Sequence, residues 1–207
     1  MKIYISSLFF SVTLLFTITA KAQTEDYVIN TKGDTLKCTI STPIIGANKY
    51  TLPGANAKKF DRDEIKEYYI TRKALRKRAV FMGDKSKADY LTVVENGKIC
   101  LYQIIYTNYS QYGTTSTTEW YVGKGSDRVS PLKTSGLFLG KGRKERKDDF
   151  ADMLKDKQEV YDKYIAEEKF SFNAIQNLVH LYNTGKSLKE DEEKQDKANV
   201  KKDDAYN

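Results

Sequence analysis

The sequence predicts an α+β protein, with an antiparallel β region over residues 23–139 and a small helical segment over residues 140–185. Three observations carry this. Short runs of β-branched and aromatic residues alternate with polar ones as far as about residue 139, and turn signals separate them. Apolar residues recur at helical spacing only after Gly140. The aromatic supply, 15 Tyr, 9 Phe and a single Trp, favours strands. At 207 residues and 40% apolar, the chain can build an ordinary core.

Residues 1–22 read as a secretory signal peptide. Met1-Lys2 begins it, an apolar stretch from Leu8 to Ile18 follows, and Ala20-Lys21-Ala22 supplies an A-x-A site before Gln23. The apolar stretch is too short for a spanning helix, which needs about 20 residues. No later run approaches that length, so no transmembrane segment is expected in the mature chain. The first cysteine after it is Cys38, too distant for a lipid anchor. Loss of Lys2 and Lys21 lowers the net charge from +7 to +5.

The mature chain then reads as successive strands. Leu36, Cys38 and Ile40 alternate with Thr35, Lys37 and Thr39, and Lys32-Gly33 supplies the turn of a hairpin. Lys49 to Leu52 is a strand closed by Pro53-Gly54, a dipeptide suited to a type II turn. Ile65 to Thr71 is another strand, and Lys73 to Val80 is the one stretch before Gly140 with any helical spacing. Asn96-Gly97 between Tyr90–Glu95 and Lys98–Tyr106 predicts a type I′ hairpin. Thr118–Val122 and Arg128–Leu132 form a further pair.

Three apolar stripes follow. The first is Phe150, Met153 and Leu154; the second is Val160, Tyr161, Tyr164 and Ile165; the third is Ile175, Leu178, Val179 and Tyr182. Regular helix is expected from Asp148 or Asp149, because the basic residues before them oppose the helix dipole. Ser171 or Asn173 caps the last helix and Gly185 ends it. Residues 186–207 are Lys, Glu, Asp, Gln and Asn with almost nothing apolar, and are expected as a disordered charged tail; a solvated helical extension is the alternative.

Sites for chemistry are sparse. The single histidine, His180, is placed by helical geometry on the solvent side of its helix, which argues against Ser/His/Asp and Cys/His catalysis. Two cysteines and one histidine exclude a Cys/His zinc module. Asp61, Asp63 and Glu64 cluster at a turn but lack the spacing of a calcium loop, and no phosphate-binding glycine motif occurs. No metal and no cofactor are expected. Cys38 and Cys100 either form one structural disulfide or stand as two thiols; bonding requires the same face of neighbouring strands, which tips the balance slightly toward thiols.

Two features suit binding. Tyr102, Tyr106, Tyr109, Tyr112, Trp120 and Tyr121 flank a Ser/Thr/Gly-rich stretch, Thr107 to Thr118, read as a loop; aromatic faces beside amides and hydroxyls stack on sugars or grip a protein. Strand packing explains most of the same tyrosines. Two basic runs, Arg72, Lys73, Arg76, Lys77, Arg78 and Lys141, Arg143, Lys144, Arg146, Lys147, hold the positive charge. In an exported protein they would meet anionic lipid, lipopolysaccharide phosphate or glycan, not nucleic acid. A solvated strand face for the first and a charged linker for the second are the preferred readings.

With Gly33-Asp34-Thr35-Leu36, the hairpin Asn96-Gly97-Lys98 followed by Leu101-Tyr102, and a helical segment ending in Tyr182-Asn183, the chain resembles exported, uncharacterised proteins of the Bacteroidota. That resemblance implies a periplasmic or outer-membrane-associated protein and transfers no catalytic residue. The reading is therefore a non-enzymatic binding or interaction module for another envelope component. The candidate contacts are Tyr106, Tyr109, Tyr112, Trp120, Arg76, Arg78, Lys141, Arg143 and Lys144. Two other readings stand beside it: a hydrolase of envelope glycans using carboxylates such as Asp61, Asp63 or Glu64, and a structural subunit of a larger assembly.

Overall fold

A computed structural model describes residues 25–43, 45–135, 140–167 and 170–194, so the expected signal peptide and the chain beyond residue 194 lie outside the described residues. The fold is α+β: a large antiparallel sheet followed by a cluster of helices. Strands β1 (Tyr27–Asn30) and β2 (Thr35–Lys37) make the first hairpin, with Val28 opposite Leu36. Its turn is built as expected: Gly33 takes φ 92°, and the Asn30 carboxamide oxygen accepts the N–H groups of Lys32 and Asp34. β3 (Thr39–Ser41), β4 (Lys49–Thr51) and β5 (Lys58–Lys59) form a separate small sheet. Pro53-Gly54 makes its type II turn, with Gly54 at φ 73° and the Ala55 N–H donating to the Leu52 carbonyl.

A meander continues through β6 (Ile65–Ile70), β7 (Leu75–Met82), β8 (Asp89–Glu95), β9 (Ile99–Ser110), β10 (Gly113–Lys124) and β11 (Arg128–Thr134). The residues of β7 that hinted at a helix are strand, because Arg76, Arg78, Val80 and Met82 alternate with Leu75, Lys77, Ala79 and Phe81 across two neighbours. β11 then returns to pair in parallel with β7, Arg128 opposite Phe81 and Val129 opposite Met82. That contact closes β7 to β11 into a ring. Inside it lie Val80, Met82, Leu91, Tyr102, Tyr121 and Val129.

The outer surface of the ring carries two more apolar clusters. Beside the small sheet, Val28, Cys38, Ile40, Tyr50, Ile65, Tyr68 and Ile70 are buried together. Asp26 ties the two sheets, its carboxylate accepting the N–H groups of Ile40 and Thr71 at 3.0 and 2.8 Å. On the opposite strands, Ile99, Leu101, Trp120, Val122 and Leu132 receive the helices α1 (Arg143–Leu154), α2 (Gln158–Ala166) and α3 (Phe172–Thr184). Phe150 sits edge-on to Tyr164 at 5.2 Å within this layer.

The helices follow their stripes, with two corrections. α1 begins at Arg143, a full turn before Asp148: Lys141 pairs with Asp149 at 2.7 Å, Arg146 donates to the Lys141 carbonyl at 2.7 Å, and Arg143 and Lys144 are exposed. α3 is capped as expected: Ser171 Oγ accepts the Ala174 N–H, and Gly185 takes φ 76° with its N–H donating to Leu181. Residues 188–194, expected in the disordered tail, are helical instead. Ser187-Leu188-Lys189-Glu190 is a reciprocal cap: the Ser187 N–H donates to Glu190 at 2.6 Å and the Glu190 N–H donates to Ser187 Oγ at 3.3 Å.

Gly97 is not a positive-φ turn residue, so the type I′ turn expected at Asn96-Gly97 does not form. Its lack of a side chain serves close approach. A Cβ there would stand 2.4 Å from Asn183 Cγ, whose carboxamide accepts the Ile99 N–H at 3.1 Å and donates to the Ile99 carbonyl at 2.7 Å. Asn183 thus completes the start of β9 as a short strand would. A second lock lies beside it: the Asp156 carboxylate receives Lys98, Lys124 and the Tyr182 hydroxyl at 2.7–2.9 Å, and these donors hold its pKa far below the usual carboxylate range.

Candidate functional site

β9 and β10 keep one continuous register from Ile99 opposite Lys124 to Ser110 opposite Gly113. Their bases belong to the ring, where β8 pairs with β9 as far as Gln103 and β11 pairs with β10 as far as Glu119. Past those points, residues 105–118 continue as a two-stranded arm with no further strand beside either edge among the described residues. The stretch expected to be a loop is therefore strand. Its threonines are β-branched, and cross-strand contacts such as Thr107 Oγ1 to Ser116 Oγ at 3.2 Å hold them in a regular ladder. Gln111 and Tyr112 make the turn, with Gly113 at φ 127° and the Tyr112 N–H donating to Ser110 Oγ.

The arm is uncharged and places large apolar side chains in water. Ile105 is 56% exposed, Tyr109 82% and Tyr112 91%. From Ile99 to Thr118 no residue is charged, in a chain where 30% of residues are. That interruption of the charge pattern is visible in the sequence and marks the arm; composition alone, rich in Ser and Thr, pointed to a loop. The alternation of β9 divides its side chains. Tyr106 continues the face that carries Tyr102 and Ile104 inside the ring, whereas Ile105 and Tyr109 share the other face with Thr114, Ser116 and Thr118. No stacking platform of neighbouring tyrosines results.

The remaining aromatic candidates belong to the core. Trp120 is 5% exposed and packs on Phe172 at 4.7 Å, so it does not join the arm as a contact. Tyr102 and Tyr121 are inside the ring; burial, reinforced by Glu119, pushes the Tyr121 phenol well above its ordinary pKa.

The basic candidates are separated too. Arg76 and Arg78 are not free for an anion, because both bind Glu67, at 2.5 and 2.7 Å. Glu67 is almost fully buried and lies opposite Arg78 on β6, a pairing that sequence distance concealed. Arg78 also donates to Asn96 and Tyr102 at 2.9 and 3.2 Å. Burial disfavours its charge, and Tyr102 and Glu67 more than offset this, raising its pKa. Lys141 is engaged by Asp149, while Arg143 and Lys144 are exposed on the first turn of α1, which packs on β11 and not on the arm.

Cys38 and Cys100 are both free thiols. They fall in different clusters, Cys38 beneath the small sheet and Cys100 beside Arg78 at the ring mouth, so the expected alternative of a disulfide is not realised. Burial, then Asp26, pushes the Cys38 thiol up to about 11. Asp61, Asp63 and Glu64 line a surface cleft of 770 Å³ together with Lys59, Arg62 and Lys87. Asp61 is occupied in its own turn, accepting the Asp63 N–H at 2.9 Å, and Arg62 pairs with Asp89. Among the described residues no group of three His, Cys, Asp or Glu side chains is placed to hold a metal ion, and no helix is long and apolar enough to cross a membrane.

His180, expected in solvent, is only 15% exposed, because the chain after Gly185 folds back over it. Its Nδ1 lies 3.1 Å from Glu95 and its Nε2 3.0 Å from Asp191, with Lys186 also on Asp191 and Gln176 on Glu95. A neutral imidazole donates to one carboxylate; the imidazolium donates to both. Burial lowers its pKa, and the bonds to Glu95 and Asp191 more than compensate, so the folded value lies above the ordinary one. A raised pKa gives stability that is complete below the unfolded value near 6.5 and is lost as pH rises through the folded value. Amide exchange in residues 188–194, corrected for intrinsic rates, should therefore accelerate with rising pH. In His180→Gln the profile should be flat; a pH-dependent profile in that variant would refute the assignment.

Compared with protein-family models, curated proteins and solved structures, the chain matches none.

Proposed function

We propose that this chain is an exported envelope protein acting as a non-enzymatic binding module, and that its contact element is the arm of β9 and β10. The carrying observation is the uncharged arm, with two backbone edges that no strand among the described residues covers, and exposed Ile105, Tyr109 and Tyr112. The leader-like N-terminus and the resemblance to exported Bacteroidota proteins support the location. An exposed strand edge is a ready template for another strand, and folded proteins usually blunt such edges with Lys, Pro or a bulge. None of these occurs on the arm. With its tyrosines split between two faces, the arm offers a sugar ring no cradle, and with no charge it offers an anionic headgroup no partner. What it offers is strand addition, with backbone hydrogen bonds for affinity and the flanking Tyr and Ile for packing.

A photo-crosslinking residue at position 109 or 112 should capture an envelope protein in intact cells, and one at Lys87 or Lys189 should not. Tyr109→Ser with Tyr112→Ser should weaken capture about tenfold or more, as loss of interface tyrosines does. Equal capture from all four positions, or capture indifferent to the tyrosines, would overturn the reading.

A further inference from the structure

The direction of the backbone groups on the arm is set by one contact. The Thr118 N–H donates to Ser135 Oγ at 2.8 Å and the Thr118 carbonyl accepts the Ser135 N–H at 2.9 Å, so both Thr118 groups point away from β9. In an antiparallel ladder without a bulge, the N–H and C=O of successive residues turn alternately to the two sides. The β9 to β10 register is unbroken, so Thr114 and Ser116 present their backbone groups outward as Thr118 does. Thr115 and Thr117 turn theirs toward β9. The outward groups of Thr114 and Ser116 have no hydrogen-bond partner among the described residues.

Resting on the reading of the arm as a strand-addition element, we propose that its occupant is a second copy of this chain, paired antiparallel along the β10 edge with Thr115 on the two-fold axis. In this register Thr114 of each copy faces Ser116 of the other, and the four bonds formed use only the outward groups left open. Shifting the axis to Ser116 would require the Thr118 groups that Ser135 already holds. A two-fold contact is self-complementary by construction, each copy offering the same edge. Charge is compatible with the same occupant. The mature chain carries +5, so two copies repel wherever their basic surfaces approach, whereas two arms meet with no charge on either. The facing side chains are Thr and Ser, which are small at a sheet edge and pair well across strands. The β9 edge would instead have to order Ile105 and Tyr109 of both copies.

The contact is short, and its Kd is expected on the order of 100 μM, among weak and transient interfaces. Light scattering on the mature chain at increasing concentration should show the mass rise reversibly from one chain to two. Amide exchange should slow with concentration at Thr114 and Ser116 and stay unchanged at Thr115 and Thr117. Ser116→Pro removes an outward N–H and leaves the ladder to β9 intact, so it should hold the protein at one chain with an unchanged melting temperature. Should that variant melt early, Ser116→Lys tests the same edge by charge, and Ser116→Thr should pair as the native chain does. A mass fixed at one chain up to about 1 mM, well above the expected Kd, or doubling that survives Ser116→Pro and Ser116→Lys, would overturn the proposal. A monomer whose arm still crosslinks to a different envelope protein would remove self-pairing and leave the binding arm standing. A monomer without such crosslinks would remove both.

Discussion

Glu67→Ala should lower the unfolding free energy by about 3–5 kcal/mol in chemical denaturation, the range for removing one partner of a buried ion pair. Glu67 is 2% exposed and its carboxylate receives Arg76 and Arg78. Without it, two guanidinium groups remain partly withdrawn from water with no counter-charge, and Arg78 keeps only neutral acceptors, Asn96, Tyr102 and the Cys100 sulfur. The loss comes chiefly from the stranded cations and not from the missing attraction. Glu67→Leu combined with Arg78→Met should therefore recover part of the stability, since it removes the more buried of the two stranded cations together with the carboxylate and leaves only the more exposed Arg76 unpaired. A double variant no more stable than Glu67→Ala would contradict this account.

Gly97→Ala should cost about 2–4 kcal/mol, because a methyl group there displaces Asn183 and leaves both backbone groups of Ile99 unpaired at a buried strand start. The expected signature is specific. Asn183→Ala should produce most of the same loss, and adding Gly97→Ala to it should cost little more, since the clash is already gone. Additive losses would show that position 97 acts through its backbone and not through Asn183.

The elements legible in the sequence were those whose signals are local. Gly33, Pro53-Gly54, Ser171 and Gly185 each set a turn or cap through their own geometry, and the stripe from Ile175 to Tyr182 is buried as its spacing requires. What escaped depends on residues far apart in the chain. Arg76 and Arg78 looked like a surface run because Glu67 meets them only through strand register. His180 looked solvent-facing because the element that covers it follows a turn and sits on the same side as Glu95. Within the site, sequence could not sort the aromatic candidates: Tyr106, Tyr109 and Tyr112 are exposed, whereas Trp120 is core, since its partner Phe172 lies in the helical layer. The arm was hidden by a conflict of local signals: Ser, Thr and Asn suggest a loop, and the β-branched threonines alternating with tyrosines suggest a strand. Pairing to an already folded base decided it.

The seam between β7 and β11 bears on the order of events when the chain folds. Every other contact in the ring joins strands adjacent in sequence, each a hairpin that can form on the microsecond scale, about 1–10 μs. The seam joins Phe81 and Met82 to Arg128 and Val129 across the whole of the intervening meander, and no hairpin turn helps it. Its closure entropy must be met before its few bonds can contribute, so the ring zips strand by strand and latches last. The latch is also expected to release first. The partly folded form expected from this is an open meander, with its interior tyrosines reaching water while the helices remain docked on β9 to β11.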